Sequence, residues 1–480
     1  MIFEFENLGP VKKGRVELGD LTVICGRNNV GKTYISHSIW GLLNQQVHDL
    51  VDVSIEGLSD VDDEITHYMQ TKSIMIKLDD IKISIKLKQH SQQYSEEGLK
   101  TTFNTDSDMF NNTQINLNMF KTPNQNGITE LCLSDDEALS RKLVEQLQSL
   151  NKFNEKKMFF HSLKNSDGEF IEMNFTDEGV NVFKGANLSP DTLFIELIKM
   201  WIKVSIFPNT KIITSERTGI ALFLPDLDKK ASEITRKLQR NTASHELAGF
   251  VKNEMDAYPT YGDPVQDNID RIRAASSQKQ QSELIVKNPT ISAVLSDLIG
   301  GTFNSGSDGI AFTTNDNQAM PLHVVSSSAK SLFLIEHYLK KEAKIGDLLI
   351  IDEPELNLHL DNQVRMAHLI ALLINSGLKI LITTHSDHLL RELNNLIMLS
   401  SAKIDADKRA ELIEQYNIPE QFHLKPERVK AFVVSKQEQQ VFDMDISETG
   451  MKMELFNQEI NQNNRQTKDI YFSLLDSDND

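Results

Sequence analysis

Cysteine is scarce in this sequence. Only Cys25 and Cys132 occur among 480 residues, and neither belongs to a pair with the spacing of a metal-binding or redox motif. Disulfide bonds and a cysteine-based zinc site are therefore not expected. We predict that both thiols are reduced side chains of the core.

Long hydrophobic runs are also missing. Hydrophobic residues make up 39% of the chain, yet no apolar run approaches the length of about 18 residues that a membrane span needs. The opening segment, MIFEFENLGP, has acidic side chains where a signal peptide would have basic ones. We expect a cytoplasmic protein without a membrane contact.

Positive charge is in deficit, with 50 Lys and Arg against 69 Asp and Glu and a net charge of -19. Such a surplus of acid repels nucleic acid at long range, so DNA binding would need a local basic patch or a basic partner. The charge therefore favours a protein partner. A basic stripe would favour DNA instead, but its candidate residues are interleaved with acids, which is typical of a solvated helix face. These candidates are Lys229, Lys230, Arg236, Lys237, Arg240, Arg271 and Arg273.

A glycine-rich loop is the first motif with a specific chemistry. It lies between an apolar strand, Leu21 to Cys25, and a helix predicted from Gly31 to about Leu43, and it fits G-x-x-x-x-G-K-[ST]. Glycines let consecutive backbone N–H groups wrap phosphates, the lysine reaches the β and γ phosphates, and the threonine hydroxyl serves Mg²⁺. The predicted nucleotide-binding residues are Gly26, Arg27, Asn28, Asn29, Val30, Gly31, Lys32 and Thr33.

The segment LLIIDEPELNLHL supplies a partner element. Its apolar residues predict a buried parallel strand that delivers Asp352 and Glu353 at its carboxyl end. We expect Asp352 in the Mg²⁺ shell and Glu353 to orient or deprotonate the attacking water. Adjacent acids after an apolar strand are by themselves more often a solvated strand end, but the phosphate loop reverses that balance.

A histidine follows the next apolar strand, Lys379 to Thr383. At this place His385 can contact the γ-phosphate and sense its presence. A lone histidine after a strand is more often structural, but its position one strand beyond the acidic pair favours catalysis. The predicted catalytic residues are thus Lys32, Glu353 and His385.

Together these elements resemble the ABC-type ATPases of the structural-maintenance-of-chromosomes and OLD (overcoming lysogenization defect) group. DEPE followed by NLHL, and THSDHLL after the last core strand, carry the resemblance, which covers the first 50 residues and about 300–400. It implies ATP as the nucleotide and sites that are completed when two copies meet head to tail, in a homodimer or a higher oligomer of dimers. The expected fold is α/β: an ABC-type P-loop ATPase head with an antiparallel β subdomain, a mostly parallel β/α core and a short helical arm.

A serine-rich signature from the opposing subunit closes each site in that group. VSSSAK stands just before the helix that leads to Asp352, with Ser328 where the family usually has glycine. A serine-rich helix N-cap is the alternative interpretation. The resemblance also implies a D-loop at Asn357 to Asp361, with Leu360 in place of a frequent proline. Arg217 could bridge to phosphate or to the other subunit, or form a structural ion pair. The signature residues expected to contact nucleotide are Ser326, Ser327, Ser328 and Lys330.

The predicted organisation has four parts. They are an N-terminal lobe at 1–215 with a β subdomain and a polar insertion at about 88–127, a short helical arm at 216–298, a C-terminal lobe at 299–400, and a C-terminal extension with a β hairpin at 401–480. The hairpin carries Asp443 and Asp445 at the D-x-D spacing of a Toprim nuclease, but Phe442 and Met444 are expected to face inward and the aspartates to face water. A built-in nuclease is therefore not expected.

Long coiled-coil arms and a zinc hook are both missing. Compact ATPases of this kind resemble subunits of two-gene bacterial anti-phage systems such as PARIS or Septu, which implies a scaffold or sensor that holds a separate nuclease or toxin and releases or activates it on infection. A DNA repair or recombination ATPase that binds DNA directly is the alternative. A transporter ATPase subunit ranks lowest.

Overall fold

The computed structural model describes residues 1–45, 94–105, 108–118, 207–223, 261–275, 280–306 and 309–453, the backbone of six strands between residues 51 and 175, and short pieces at 465–466 and 468–470. The chain divides into two compact units. The smaller comprises residues 1, 42–94 and 115–209, and the larger comprises 2–41, 95–114 and 210–480. None of the described helices is long and apolar enough to cross a membrane.

The described strands alternate with helices in the second half of the chain. The strands are β1 (Ile2–Leu8), β2 (Val11–Glu17), β3 (Leu21–Cys25), β4 (Val51–Glu56), β5 (Ser73–Lys77), β6 (Lys82–Leu87), β7 (Gln114–Asn118), β8 (Ile128–Cys132), β9 (Phe160–Ser166), β10 (Phe170–Phe175), β11 (Thr210–Ile213), β12 (Gly301–Gly306), β13 (Gly309–Thr314), β14 (Ala319–Pro321), β15 (Leu348–Asp352), β16 (Lys379–Thr384), β17 (Val429–Ser435), β18 (Gln440–Asp443), β19 (Ile446–Ser447) and β20 (Gly450–Met451). The α-helices are α1 (Lys32–Gln45), α2 (Leu99–Phe103), α3 (Asp263–Ala274), α4 (Glu283–Lys287), α5 (Thr290–Ile299), α6 (Ser327–Lys341), α7 (Leu360–Asn375), α8 (Asp387–Leu399) and α9 (Ala406–Tyr416).

A mostly parallel sheet forms the centre of the larger unit. Its strands lie in the order β11, β15, β16, β3, β17, β18, β2, β1. The run from β11 to β17 is parallel, whereas β17 with β18 and β2 with β1 are antiparallel. The register sets Asp352 opposite Thr383 and Thr384 opposite Cys25. The carboxyl ends of β15, β16 and β3 therefore finish level at one edge, where ligands of open α/β sheets bind.

Apolar strands and helices build the core of this unit. Every residue of β3 and of β15 is buried, as expected for parallel strands covered on both faces. Helices α5 and α7 contribute a continuous set of aliphatic side chains to the same core cluster. The mostly parallel β/α core predicted from the sequence is confirmed.

Antiparallel pairing dominates the smaller unit. It contains two three-stranded sheets, β5-β10-β9 and β4-β6-β8, in which all pairs are antiparallel. The segment KMFFHSLKNSDGEFIEMNF predicts a hairpin around Asn165 to Gly168, and this hairpin is the β9–β10 pair. The predicted antiparallel β subdomain is therefore present. The segment TLFIELIKMWIKVSIF at 192–207 predicts a buried helix, but it lies almost entirely outside the described residues.

The polar insertion at about 88–127 is more ordered than its composition predicts. It contains α2 and β7 rather than a continuous loop. A few apolar residues explain the difference, since Leu99 and Phe110 are buried and Phe103 stacks on Tyr34 of α1 at a centroid distance of 4.9 Å. The polar average composition of this segment gave no indication that these few apolar side chains would be buried.

Helices α3 to α5 fall within the range predicted as an arm, 216–298. They pack into the core, where Ile269, Ile272, Leu284 and Leu295 are at most 2% exposed. Each of these helices has an apolar face, and burial of that face favours the core over an extended arm. Residues 224–260 lie outside the described part of the chain.

The predicted C-terminal hairpin is β17 and β18, but it belongs to the central sheet. Strand β17 lies between β3 and β18, a placement that the sequence analysis did not predict. Phe442 does not face inward as predicted but is 39% exposed. Side chains alternate along a strand, and Val441, the neighbour of Phe442, is the one that packs over Gly14 of β2. Both aspartates of the D-x-D pair are exposed, as expected.

Candidate nucleotide-binding site

The loop between β3 and α1 has the backbone conformation of a phosphate cradle. Gly26 and Gly31 have φ of 153° and 106°, which favour glycine, and Asn29 has φ of 62°. A Cβ on Gly31 would lie 2.6 Å from Cγ2 of Val11, so the position is closed to other residues by contact as well. The loop ends at the N-terminus of a 14-residue helix without acidic residues in its first turn. The positive end of this helix favours an anion.

Lys32 is buried inside this loop. Its Nζ donates to the carbonyl oxygens of Gly26 at 3.0 Å and Arg27 at 2.9 Å, and the residue is 6% exposed. Burial lowers the pKa of Lys32, and the charge of nearby Glu353 opposes that shift. The ammonium is thus held across the loop that the sequence predicts to wrap the phosphates.

Asp352 joins three elements at the end of β15. Its Oδ1 accepts from Ser36 Oγ at 2.7 Å and from Thr383 Oγ1 at 2.9 Å, and its Oδ2 lies 2.8 Å from His37 Nε2. Burial alone would raise the pKa of Asp352, but His37 and the two hydroxyl donors lower it overall. The carboxylate is therefore ionised and oriented by α1 and β16.

Ser36 and His37 were not singled out from the sequence. They stand one helical turn after Lys32 and Thr33, on the same face of α1. That i,i+4 spacing was the available signal. His37 also stacks on Phe103, at a centroid distance of 5.9 Å.

Thr33 and Asp352 fit a magnesium shell. Thr33 is exposed, and within the described part of the chain its hydroxyl makes no hydrogen bond. Asp352 Oδ2 has only His37 as a partner among the described residues and keeps lone-pair capacity. Mg²⁺ in nucleotide sites is held by few protein oxygens together with phosphates and water. The two residues suit that donor set.

Glu353 occupies a strained backbone conformation. Its φ is 48°, a region that costs a non-glycine residue about 1–2 kcal/mol. Its N–H donates to the Thr383 carbonyl at 3.0 Å, and its Oε1 lies 3.3 Å from His385 Nδ1. The hydrogen bond with His385 lowers the pKa of Glu353, and the same bond raises that of His385. The structure thus brings two predicted catalytic residues together.

Glu355 holds the turn that carries His385. Its Oε1 accepts from Thr384 Oγ1 at 2.7 Å and from the backbone N–H groups of His385 at 3.0 Å and Ser386 at 3.2 Å. The side chain of Glu355 is buried, and its Oε2 has no partner among the described residues. Sequence reasoning assigned no role to this residue, although it is the second glutamate of DEPE.

A family model matches most of the chain. Residues 1–390 match the AAA ATPase domain family AAA_15. The chain belongs to this family. No curated protein matches the chain. Membership implies ATP binding and ATPase activity, and such ATPases typically use Mg²⁺.

Solved structures that resemble this AAA_15 ATPase are heads of Smc proteins, at low similarity. An Smc head bound to the C-winged helix domain of ScpA is 11% identical, covers 93% of this chain and 98% of its own, and has a TM-score of 0.31. An Smc head with an extended coiled coil bound to the C-terminal domain of ScpA from Pyrococcus furiosus is 11% identical, with coverages of 95% and 98% and a TM-score of 0.30. The Smc head from Thermotoga maritima is 9% identical, with coverages of 82% and 90% and a TM-score of 0.26.

The serine-rich segment of this AAA_15 ATPase begins α6. Ser326 is the N-cap, and its Oγ accepts from the Ala329 N–H at 3.2 Å. Ser326 and Ser327 are exposed, Ser328 is half-buried, and Lys330 is buried. Among the described residues, the hydrogen bonds of the three serines are local to α6. The N-cap interpretation therefore holds for Ser326, and contact of this segment with nucleotide stays a prediction.

Arg217 forms no ion pair within the described residues. It is 1% exposed, and all its bonds go to backbone carbonyl oxygens. Burial lowers the pKa of Arg217 to about 10. Of the alternatives given for Arg217, the structural ion pair is thus not observed, and a buried cluster of carbonyl oxygens takes its place.

Proposed function

We propose that this AAA_15 ATPase hydrolyses ATP slowly at composite sites, each completed by the serine-rich segment of a second copy. The observation that carries the proposal is the contact of Glu353 with His385 at the same sheet edge as the phosphate loop. Opening of a closed pair would then limit turnover.

Each residue has a distinct role in the proposed reaction. Lys32 and the loop N–H groups bind and orient the β and γ phosphates. Glu353 has a lowered pKa, so it is ionised and can accept a proton from the attacking water or orient it. His385 holds that carboxylate and reports on the γ-phosphate. Bound Mg²⁺, held by Thr33 and Asp352, would neutralise charge on the phosphates.

Exposed groups near the serine-rich segment are accessible to a second copy. Val324 is 61% exposed just before the serines, and Leu360 is 53% exposed in the segment that resembles a D-loop. The serine hydroxyls of Ser326 and Ser327 are open to solvent. Single exposed apolar side chains are common on protein surfaces, so these residues are compatible with a covered surface, and the dimerisation experiment carries the test.

Size in solution tests the composite site. Glu353→Gln should bind ATP, hydrolyse it only at a small residual rate, and shift from monomer to dimer on addition of ATP and Mg²⁺, measured by light scattering after gel filtration. The matched control is Lys32→Ala in the same background, which should stay monomeric because it cannot hold the phosphates. A Glu353→Gln protein that binds ATP but never dimerises would contradict the composite-site proposal.

We further propose that the ATPase is the scaffold or sensor subunit of an anti-phage complex, with a separate nuclease or toxin as effector. The net charge of -19 supports a protein partner over DNA. Two residues of the candidate basic stripe support the same choice, because Arg271 pairs with Asp267 and Glu342, and Arg273 lies 3.4 Å from Asp270. Basic side chains neutralised in this way contribute little to phosphate binding.

Purification from the native operon tests this role. Glu353→Gln, tagged and purified with ATP and Mg²⁺, should carry a stoichiometric effector that mass spectrometry identifies. In the intact operon, Lys32→Ala should lose protection in a phage plaque assay. Full protection by Lys32→Ala would contradict the defence proposal, and co-purification of DNA alone would favour the repair alternative.

A further inference from the structure

The buried guanidinium group of Arg217 contacts the backbone of Asp352 and Glu353, which is called the hydrolytic turn. Arg217 Nη1 donates to the carbonyl oxygen of Asp352 at 2.7 Å, and Nη2 donates to that of Glu353 at 2.7 Å. Nη1 also donates to the Thr214 carbonyl at 3.1 Å, and Nε donates to that of Ser331 at 2.9 Å. A positive charge is therefore buried, with carbonyl oxygens as its hydrogen-bond partners, and the negative charges of nearby carboxylates, Asp352 first among them, partly offset the effect of burial on the pKa of Arg217.

These carbonyls come from three separate elements. Thr214 follows β11, Asp352 ends β15 and Glu353 follows it, and Ser331 lies in the first turns of α6. Backbone carbonyl oxygens repel one another, so a shared planar donor is needed to hold them at one point. Arg217 therefore joins the hydrolytic turn to the helix that begins with the serine-rich segment.

The turn at Glu353 needs such support because its backbone is strained. A residue with φ of 48° relaxes unless both of its peptide groups are restrained. The N–H of Glu353 is restrained by the Thr383 carbonyl, and the carbonyl of Glu353 accepts from Arg217 Nη2 and from the Leu356 N–H at 2.9 Å. The Leu356 bond lies within the turn itself, so Arg217 is the partner that fixes this carbonyl relative to another element. We expect loss of Arg217 to let the turn shift and move the carboxylate relative to His385.

We propose that Arg217 is a positioning residue for hydrolysis, which holds Glu353 in its strained turn and ties that turn to α6. The inference rests on the proposed role of Glu353. It assigns Arg217 no contact with phosphate, because the side chain is 1% exposed and four of its five N–H groups donate to carbonyl oxygens. Nucleotide affinity should therefore be independent of this side chain, whereas the rate of the chemical step should depend on it.

Two substitutions of Arg217 separate the contribution of its positive charge from that of its planar guanidinium group. Arg217→Lys keeps a positive charge but presents a single donor atom, and Arg217→Gln keeps two N–H donors on one nitrogen without burying a charge. We expect either variant to lower the single-turnover rate about 100-fold, the scale of a misplaced catalytic group. The Kd for a fluorescent ATP analogue should change less than about threefold, because the phosphate loop lies on other elements.

A double mutant distinguishes positioning from a structural role. If Arg217 acts through Glu353, Arg217→Lys in the Glu353→Gln background should hydrolyse no more slowly than Glu353→Gln alone. Arg428→Lys is the matched control. Arg428 also donates to a backbone carbonyl, that of Ile374, which lies near the carboxyl end of α7. This variant should lower the melting temperature without a change in the single-turnover rate.

Each outcome decides the proposal. A double mutant slowed by the same factor as Arg217→Lys alone would overturn it, and so would a weaker Kd with an unchanged rate. Failure of both Arg217 variants to fold at low temperature would also overturn it, because the contact would then serve folding. Failure of the proposed function looks different: Glu353→Gln itself would hydrolyse ATP at the wild-type rate.

Discussion

Replacement of Glu355 by alanine should loosen the His385 turn and slow hydrolysis. Oε1 of Glu355 accepts hydrogen bonds from Thr384, His385 and Ser386. Ser386 N–H keeps a second acceptor, Thr384 Oγ1 at 3.0 Å, so the N–H of His385 and the buried hydroxyl of Thr384 are the donors that lose the acceptor described for them. The substitution therefore acts on the residue that contacts Glu353.

The size of the effect follows from these contacts. Hydrogen bonds to a charged acceptor contribute about 1.5–3 kcal/mol each, and an orphaned buried donor costs about 1–3 kcal/mol. Part of this is offset because the desolvation of a buried carboxylate is relieved. We expect a net loss of about 3 kcal/mol, which at about 2 °C per kcal/mol for a large domain lowers the melting temperature by about 6 °C.

The assay combines thermal unfolding with ATP hydrolysis below the transition. Glu355→Ala should lose about 10- to 100-fold in kcat because His385 moves, and ATP affinity should hold because the phosphate loop is untouched. Glu355→Gln is the matched control: it keeps an acceptor oxygen at the same place, so its melting temperature and kcat should lie closer to wild type. Wild-type values of both for Glu355→Ala would refute the reasoning.

Two further predictions use the backbone and the buried thiol. Glu353→Asn should abolish hydrolysis yet raise stability by about 1 kcal/mol, because asparagine adopts positive φ more readily; a lower melting temperature would mean that the contact with His385 outweighs the strain. Cys25 should resist iodoacetamide at about pH 8 until the protein is unfolded in denaturant, because burial raises its pKa to about 12 and little thiolate forms. Peptide mapping by mass spectrometry measures the labelling, and modification of Cys25 in the folded chain would contradict that expectation.

Local chemistry made several elements predictable. The phosphate loop could be predicted from the sequence because glycine is the residue that adopts its φ values. Strand β15 could be predicted because a strand buried on both faces must be apolar. The register then placed Asp352 level with Thr383 at the sheet edge where the sequence predicts the site.

Other features carried no local signal. Strand β17 pairs with β3 across about 400 residues of chain, and no pattern in either strand indicates which strand it pairs with. Glu353 has a positive φ without being glycine or asparagine, so its strain could not be read from residue type. Helices α3 to α5 have ordinary apolar faces, which are compatible with an arm or with a core.

The sequence by itself determined which residues can be proposed for phosphate binding and water activation, because each of these tasks requires particular residue types at short, local spacings. The tertiary structure alone decided how those groups are supported. Ser36, His37, Glu355 and Arg217 meet the predicted residues only after distant segments pack together, and each does so through buried hydrogen bonds. A buried polar group must find a partner, but the sequence does not say which one, since that choice depends on the register of the sheet and the docking of α1 and α6.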